Sequence, residues 1–184
     1  MMEAKKLMMT FLLMFFLASG FAQQSTKKVL RKKNKIEKQH LIDSLINSRE
    51  FVFVASRALP QGMNSIDLTT NSNSVKFQPE KIESYLPFFG RAYSIDYGGD
   101  GGIKFEGKPE AFKVVNKKDG KGFEITVTVP VTRDNFKLSL FVSPDGSAIL
   151  TVNSNQRSAI SYSGNISKIE EIKEKSAFKA KPKE

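Results

Sequence analysis

The sequence predicts a mainly β fold: an antiparallel meander forming a barrel or sandwich, preceded by one N-terminal helix. Three observations carry this reading. Beyond residue 50 the apolar residues recur with period two, most plainly Phe123, Ile125, Val127 and Val129 against Glu124, Thr126 and Thr128. The runs are short and are punctuated by turn signals such as Lys118-Asp119-Gly120 and Pro144-Asp145-Gly146. No strand–helix alternation recurs, which argues against a parallel α/β sheet. The 184 residues, 40% of them hydrophobic, suffice for one domain with a real core.

The chain opens with Lys5 and Lys6, then the apolar run Leu7 to Leu17, then small residues ending Gly20-Phe21-Ala22. This is the pattern of an export signal, residues 1–22, cleaved after Ala22. The run falls short of the roughly 20 residues that a membrane span needs. No cysteine follows it, so a lipid anchor on cysteine is excluded and the mature chain is expected in the periplasm or secreted.

Residues 23–49 form a basic linker and an amphipathic helix. No Gly or Pro interrupts Lys27 to Ser48. Leu41, Ile42, Leu45 and Ile46 share one face at helical spacing, whereas Val29, Leu30 and Ile36 do not extend it. The second half should therefore dock and the first half stay solvated. The stretch Lys27 to Lys38 is strongly basic and suits an anionic membrane surface as a possible partner.

Residues 50–168 read as the β domain. Phe51–Ala55 is a buried-looking strand that runs to a turn at Pro60-Gln61-Gly62. Ser65–Thr69 and Ser74–Phe77 follow, separated by a turn at Asn71–Asn73. Segments Tyr93–Tyr97 and Ile103–Glu106 flank a glycine loop, and Ala111–Asn116 is a further strand. Phe136, Leu138, Leu140 and Val142 alternate with polar residues, Ala148, Leu150 and Val152 continue, and Ala159–Ile166 is the last strand. The tail, 169–184, is charged and expected to be disordered.

Composition removes several chemistries. There is no cysteine for thiol catalysis or metal ligation, and His40 is the single histidine. No cofactor and no metal site is expected. No glycine loop precedes a helix, so nucleotide binding is disfavoured. The formal net charge of +10 admits nucleic acid or anionic lipid as partners. An exported chain rarely meets nucleic acid, so none is expected as a partner.

The densest cluster of special residues is Leu86-Pro87-Phe88-Phe89-Gly90-Arg91-Ala92-Tyr93, followed by Gly98-Gly99-Asp100-Gly101-Gly102. Pro87 fixes φ and cannot donate to a ladder, and Gly90 is expected to permit a bend. Leu86, Pro87, Phe88, Gly90 and Gly102 are the structural members of this motif. Phe89, Arg91, Tyr93 and Tyr97 are the candidate ligand-binding residues, because an aromatic beside a guanidinium clamps an anion or a planar ligand. The competing reading is a folding corner in which aromatics plug one end and Arg91 pairs with a carboxylate.

Leu-Pro-x-Phe-Gly-Arg-Ala-Tyr, then Tyr-Gly-Gly-x-Gly-Gly-Ile-x-Phe, then Arg157-x-x-Ile-Ser-Tyr-x-Gly resembles an uncharacterised family of exported bacterial proteins. That family is defined as a domain of unknown function with an LPYFGRAY-like signature. The resemblance spans about Phe51 to Ile166. It implies secretion and a β-rich domain, and brings no activity, cofactor or catalytic residue. Phe88 stands where tyrosine is usual, so a hydroxyl there is not essential.

Asp96, Asp100 and Glu106 cluster about the glycine loop, and a carboxylate pair about 5 to 10 Å apart can hydrolyse glycosides. Carboxylates beside glycine turns are also ordinary loop chemistry. The same loop is a poor calcium match, since Gly98 and Gly107 stand where two ligand oxygens are needed. No catalytic residue is assigned. The sequence favours an exported, non-catalytic binding or structural module of the cell envelope, its ligand unknown. The alternatives are a glycan-directed hydrolase using these carboxylates and attachment to a membrane surface through residues 27–38.

Overall fold

The computed structural model describes residues 27–70, 73–93, 101–117, 121–132 and 134–170. The expected export signal therefore lies outside the described residues, as do residues 171–184 of the tail. The chain divides into two compact units, Met1–Lys38 and Gln39–Glu184. Residues 27–48 are helical, and in the first unit every residue from 27 to 38 is exposed, Val29, Leu30 and Ile36 included.

In the second unit the helical residues 39–48 bury Ile42, Leu45 and Ile46, while Leu41 is left at the exposed rim. The helix ends at Arg49, whose φ of 58° puts it in the left-handed region. Its N–H closes the last turn onto the Ile46 carbonyl at 3.2 Å, and its guanidinium lies 5.0 Å from the centre of the Phe112 ring.

Ten strands follow: β1 (Phe51–Pro60), β2 (Ile66–Asp67), β3 (Ser74–Gln78), β4 (Lys81–Leu86), β5 (Ile103–Gly107), β6 (Ala111–Asn116), β7 (Phe123–Val131), β8 (Asp134–Val142), β9 (Ser147–Asn153) and β10 (Ile160–Ser167). They form one sheet in the order β5-β4-β3-β1-β10-β9-β8-β7-β6, with β2 paired to β1 off that path. All pairings are antiparallel.

This order forces curvature. β5 and β6 are opposite edges of the sheet, yet three residues join them. Nine strands at about 4.8 Å apart would separate flat edges by about 38 Å. The four steps from Gly107 to Ala111 reach about 14 Å at most. The sheet therefore curls into a half-barrel, which settles the choice between barrel and sandwich. The curl brings Phe105 of β5 onto Phe136 of β8, with ring centres 4.3 Å apart. A Cβ on Gly107 would meet Val129 Cγ1 of β7 at 2.6 Å.

The interior is the set of apolar residues that the alternation selects. Ile125, Val127 and Val129 of β7, Leu138, Leu140 and Val142 of β8, and Leu150 and Val152 of β9 are all buried. At the other side Phe51 stacks on Phe77 at 4.7 Å. Burial of such side chains is worth about 1.5 to 3 kcal/mol each and dominates the stability of the sheet.

Several elements differ from expectation. The expected strand Ser65–Thr69 contracts to Ile66–Asp67, because Asp67 Oδ1 captures the Thr69 N–H at 2.9 Å and turns the chain. The last strand is Ile160–Ser167 rather than Ala159–Ile166. Of the expected strand Tyr93–Tyr97 only Tyr93 is described, following a single bridge between Ala92 and Arg157, and residues 94–97 lie outside the described residues. Lys118-Asp119-Gly120 lies outside the described residues, but β6 and β7 pair on either side of it. The Pro144-Asp145-Gly146 turn joins β8 to β9, with Gly146 at φ 81°.

Candidate functional site

The stretch 86–93 is built as a corner. β4 ends at Leu86, whose side chain is fully buried. Pro87 cannot continue a ladder as donor, and its carbonyl turns instead to the buried Tyr162 of β10. The Tyr162 hydroxyl donates to that carbonyl at 2.6 Å. Phe88 and Phe89 are half-buried and both pack against the core.

The chain then lies against the segment that leads into β10. Tyr93 N–H donates to the Gln156 carbonyl at 2.7 Å, and Ser158 N–H to the Arg91 carbonyl at 2.9 Å. The Ser158 hydroxyl accepts from Arg91 N–H at 3.2 Å. One side chain ties this corner to the glycine loop. The Arg157 guanidinium donates from Nη1 to the carbonyls of Gly101 and Gly102, the latter at 3.0 Å, and lies 5.3 Å from the centre of the Phe88 ring.

Gly90 is needed for a different reason than a free φ. Its φ is not in the left-handed region; what excludes a side chain is space. A Cβ there would meet Ser158 Oγ at 2.6 Å and Phe88 Cζ at 2.8 Å.

The candidate ligand-binding residues separate. Phe89 belongs to the packing of the corner. Arg91 and Tyr93 face solvent, Tyr93 with 73% of its surface exposed. Among the described residues Arg91 makes no ion pair, so the expected carboxylate partner is not seen there. The strut of the corner is Arg157, which the spacing of residues did not single out. The signal for it was the late Arg157-x-x-Ile-Ser-Tyr run, whose Arg157 and Tyr162, with Ser158 between them, clamp residues 86–93.

Tyr97, Asp96 and Asp100 lie outside the described residues. Glu106 is exposed on the outer face of β5, where it accepts from Lys81 Nζ at 2.8 Å. Its cross-strand neighbour Glu83 takes the same ammonium at 2.7 Å. Hydrogen bonding to Lys81, and then to Lys76, holds the Glu83 carboxyl below the usual carboxylate range. Glu124 of β7 is likewise lowered by its hydrogen bond to Lys117. Among the described residues no three of His, Cys, Asp and Glu gather where a metal ion could be held. His40 is exposed on the helix.

Burial pushes the Tyr162 hydroxyl well above the ordinary phenol pKa, against a smaller opposing pull from Arg157. The unfolded phenol ionises near pH 10, while the folded one keeps its proton. Stability is therefore constant with respect to this group below about pH 10 and falls as pH rises beyond it. Tyr162→Phe should cost about 1 to 2 kcal/mol at neutral pH, because the Pro87 carbonyl loses its buried donor. It should also flatten the loss of stability above about pH 10, as read by urea unfolding at a series of pH values.

The match to protein families fits this architecture. The model of a domain of unknown function, DUF4251, matches residues 33–166. A solved structure of a DUF4251 family protein from Bacteroides eggerthii has a similar fold, with a TM-score of 0.60 at 17% identity over 79% of this chain and 95% of that one. Among curated proteins no relative matches. The helical residues from 39 on, all ten strands and the corner at 86–93 fall within or at the border of the matched span, and the chain belongs to the DUF4251 family of domains of unknown function.

Proposed function

We propose that the chain is an exported, non-catalytic binding module of the bacterial cell envelope. Its N-terminal signal is removed after Ala22, and its contact point is the Arg91–Tyr93 rung. The observation that carries this reading is the exposure of Arg91 and Tyr93 on a backbone tied to residues 156–158. Three hydrogen bonds to 156–158 hold their main chain, yet neither side chain is spent on the core. Because their backbone is already ordered, binding through this guanidinium and phenol has only side-chain freedom to lose, which is the economy that recognition sites exploit. Arg and Tyr are also the side chains that concentrate binding energy at interfaces.

A second observation favours attachment to an anionic membrane surface. Residues 27–38 are helical, basic and exposed throughout, with Val29, Leu30 and Ile36 among the lysines. Among the described residues no helix is long and apolar enough to cross a membrane.

One experiment separates the two. The full chain and its Arg91→Ala/Tyr93→Ala variant are sedimented with isolated envelope fractions and with vesicles of anionic phospholipid, at low and high salt. The rung reading expects the double variant to lose about tenfold or more in envelope binding while keeping the β circular-dichroism spectrum. Unchanged envelope binding by the variant overturns that reading. Vesicle binding lost in about 0.5 M salt supports the basic helix, since surface attraction is screened there.

A further inference from the structure

The outer face of β3, β4 and β5 carries a shallow cleft of about 300 Å³, lined by Ser74, Lys76, Glu83, Tyr85 and Glu106 among others. The register explains why these residues meet. Lys76, Glu83 and Glu106 form one cross-strand row, and Ser74, Tyr85 and Lys104 form the next on the same face. The side chains are fixed in place by each other. Lys76 Nζ lies 2.9 Å from Glu83 Oε2, and Lys81 Nζ holds Glu83 at 2.7 Å and Glu106 at 2.8 Å. Lys104 Nζ lies 4.3 Å from the centre of the Tyr85 ring.

Tyr85 is the unusual member. Its strand neighbours Ser84 and Leu86 point inward and are buried, so Tyr85 points out, with 54% of its surface exposed. Nothing in the core requires a ring there. The result is a flat apolar surface beside a row of ordered donors and acceptors.

We propose that this cleft is a binding subsite for neutral saccharides. The Tyr85 ring, on the face opposite the Lys104 ammonium, takes the C–H face of a pyranose. The carboxylate lone pairs of Glu83 and Glu106 left over from Lys81 accept hydroxyl protons, and Lys76 and the Ser74 hydroxyl donate. The charge of the cleft argues for a neutral ligand. Lys76, Lys81 and Lys104 are nearly balanced by Glu83 and Glu106, so a phosphate would meet two carboxylates and a cation would meet three ammonium groups. A polyhydroxyl ligand both donates and accepts, which matches a mixed row. The subsite uses none of the Arg91–Tyr93 rung, so either can fail alone.

The test is isothermal titration of the full chain with maltotriose, with triacetylchitotriose and with inorganic phosphate. Saturable binding of at least one trisaccharide is expected, with a Kd of about 10 mM or tighter. Tyr85→Ala should weaken it by about tenfold or more, whereas Tyr85→Phe, which keeps the ring, should stay within about threefold. Glu106→Gln should weaken binding several-fold, and Arg91→Ala should leave it unchanged. Failure of both trisaccharides to bind, binding indifferent to Tyr85→Ala, or preferential binding of phosphate would each overturn the proposal.

Discussion

Replacing Gly164 by alanine is expected to destabilise the domain by about 3 kcal/mol or more, a large share of the stability of a domain this size. Gly164 lies in β10 opposite Ala55 of β1, at the point where the β1–β10 register shifts between Ala55 and Arg57. An alanine Cβ would fall 1.9 Å from the Val54 carbonyl oxygen and 2.8 Å from its carbon. These are backbone atoms of the pair at the middle of the sheet order, so the side chain has nowhere to go. Relief would require parting β1 from β10, and with them the two halves of the half-barrel. Gly62→Ala is the matching control. Gly62 has φ 71° but nothing within 4 Å of a Cβ, so it should cost only about 1 kcal/mol of backbone strain. Urea unfolding of the two variants measures the difference.

The second large effect is expected at Arg157. Arg157→Ala removes two charge-assisted hydrogen bonds to the carbonyls of Gly101 and Gly102 and a cation–π contact with Phe88. Hydrogen bonds from a charged donor contribute about 1.5 to 3 kcal/mol, and the partly buried position here keeps water from replacing them fully. A loss of about 2 to 3 kcal/mol should follow. Arg157→Lys should recover less than half of it, because an ammonium on a shorter stem lacks the planar guanidinium that lies on the Phe88 ring while one of its nitrogens reaches both carbonyls. Thermal and urea unfolding of both variants checks the order wild type, lysine, alanine.

Most strands were legible because the alternation is a direct record of which face is wet; β4 (Lys81–Leu86) was not anticipated. Phe136, Leu138, Leu140 and Val142 are buried for the same reason that they are spaced by two. The helix was legible in both halves, since Ile42, Leu45 and Ile46 share a face that Val29, Leu30 and Ile36 miss, although Leu41, read on the same face, is exposed. Alternation carries no information about which strands become neighbours. Nothing in the sequence placed β5 and β6 at opposite edges, and so nothing required the curl that the short link between them enforces.

The corner was legible as special but not in its wiring. Its partners, Arg157, Ser158 and Tyr162, lie about seventy residues downstream, and a contact at that range leaves no local pattern. Gly90 stood out as a glycine, but its cause is the crowding of Ser158 and Phe88, which only the tertiary structure supplies. Gly164 carried no signal of its own in the sequence; it is the closest backbone approach among the described glycines.

The central claim is a division of labour at this corner, with Arg157 as its strut and Arg91 left to solvent. Urea unfolding of Arg91→Ala beside Arg157→Ala tests it most directly, since both delete the same side chain from facing segments. Arg91→Ala should change stability by no more than about 0.5 kcal/mol, as surface substitutions do, while Arg157→Ala loses about 2 kcal/mol or more. Equal losses, or a larger loss at Arg91, would contradict the account.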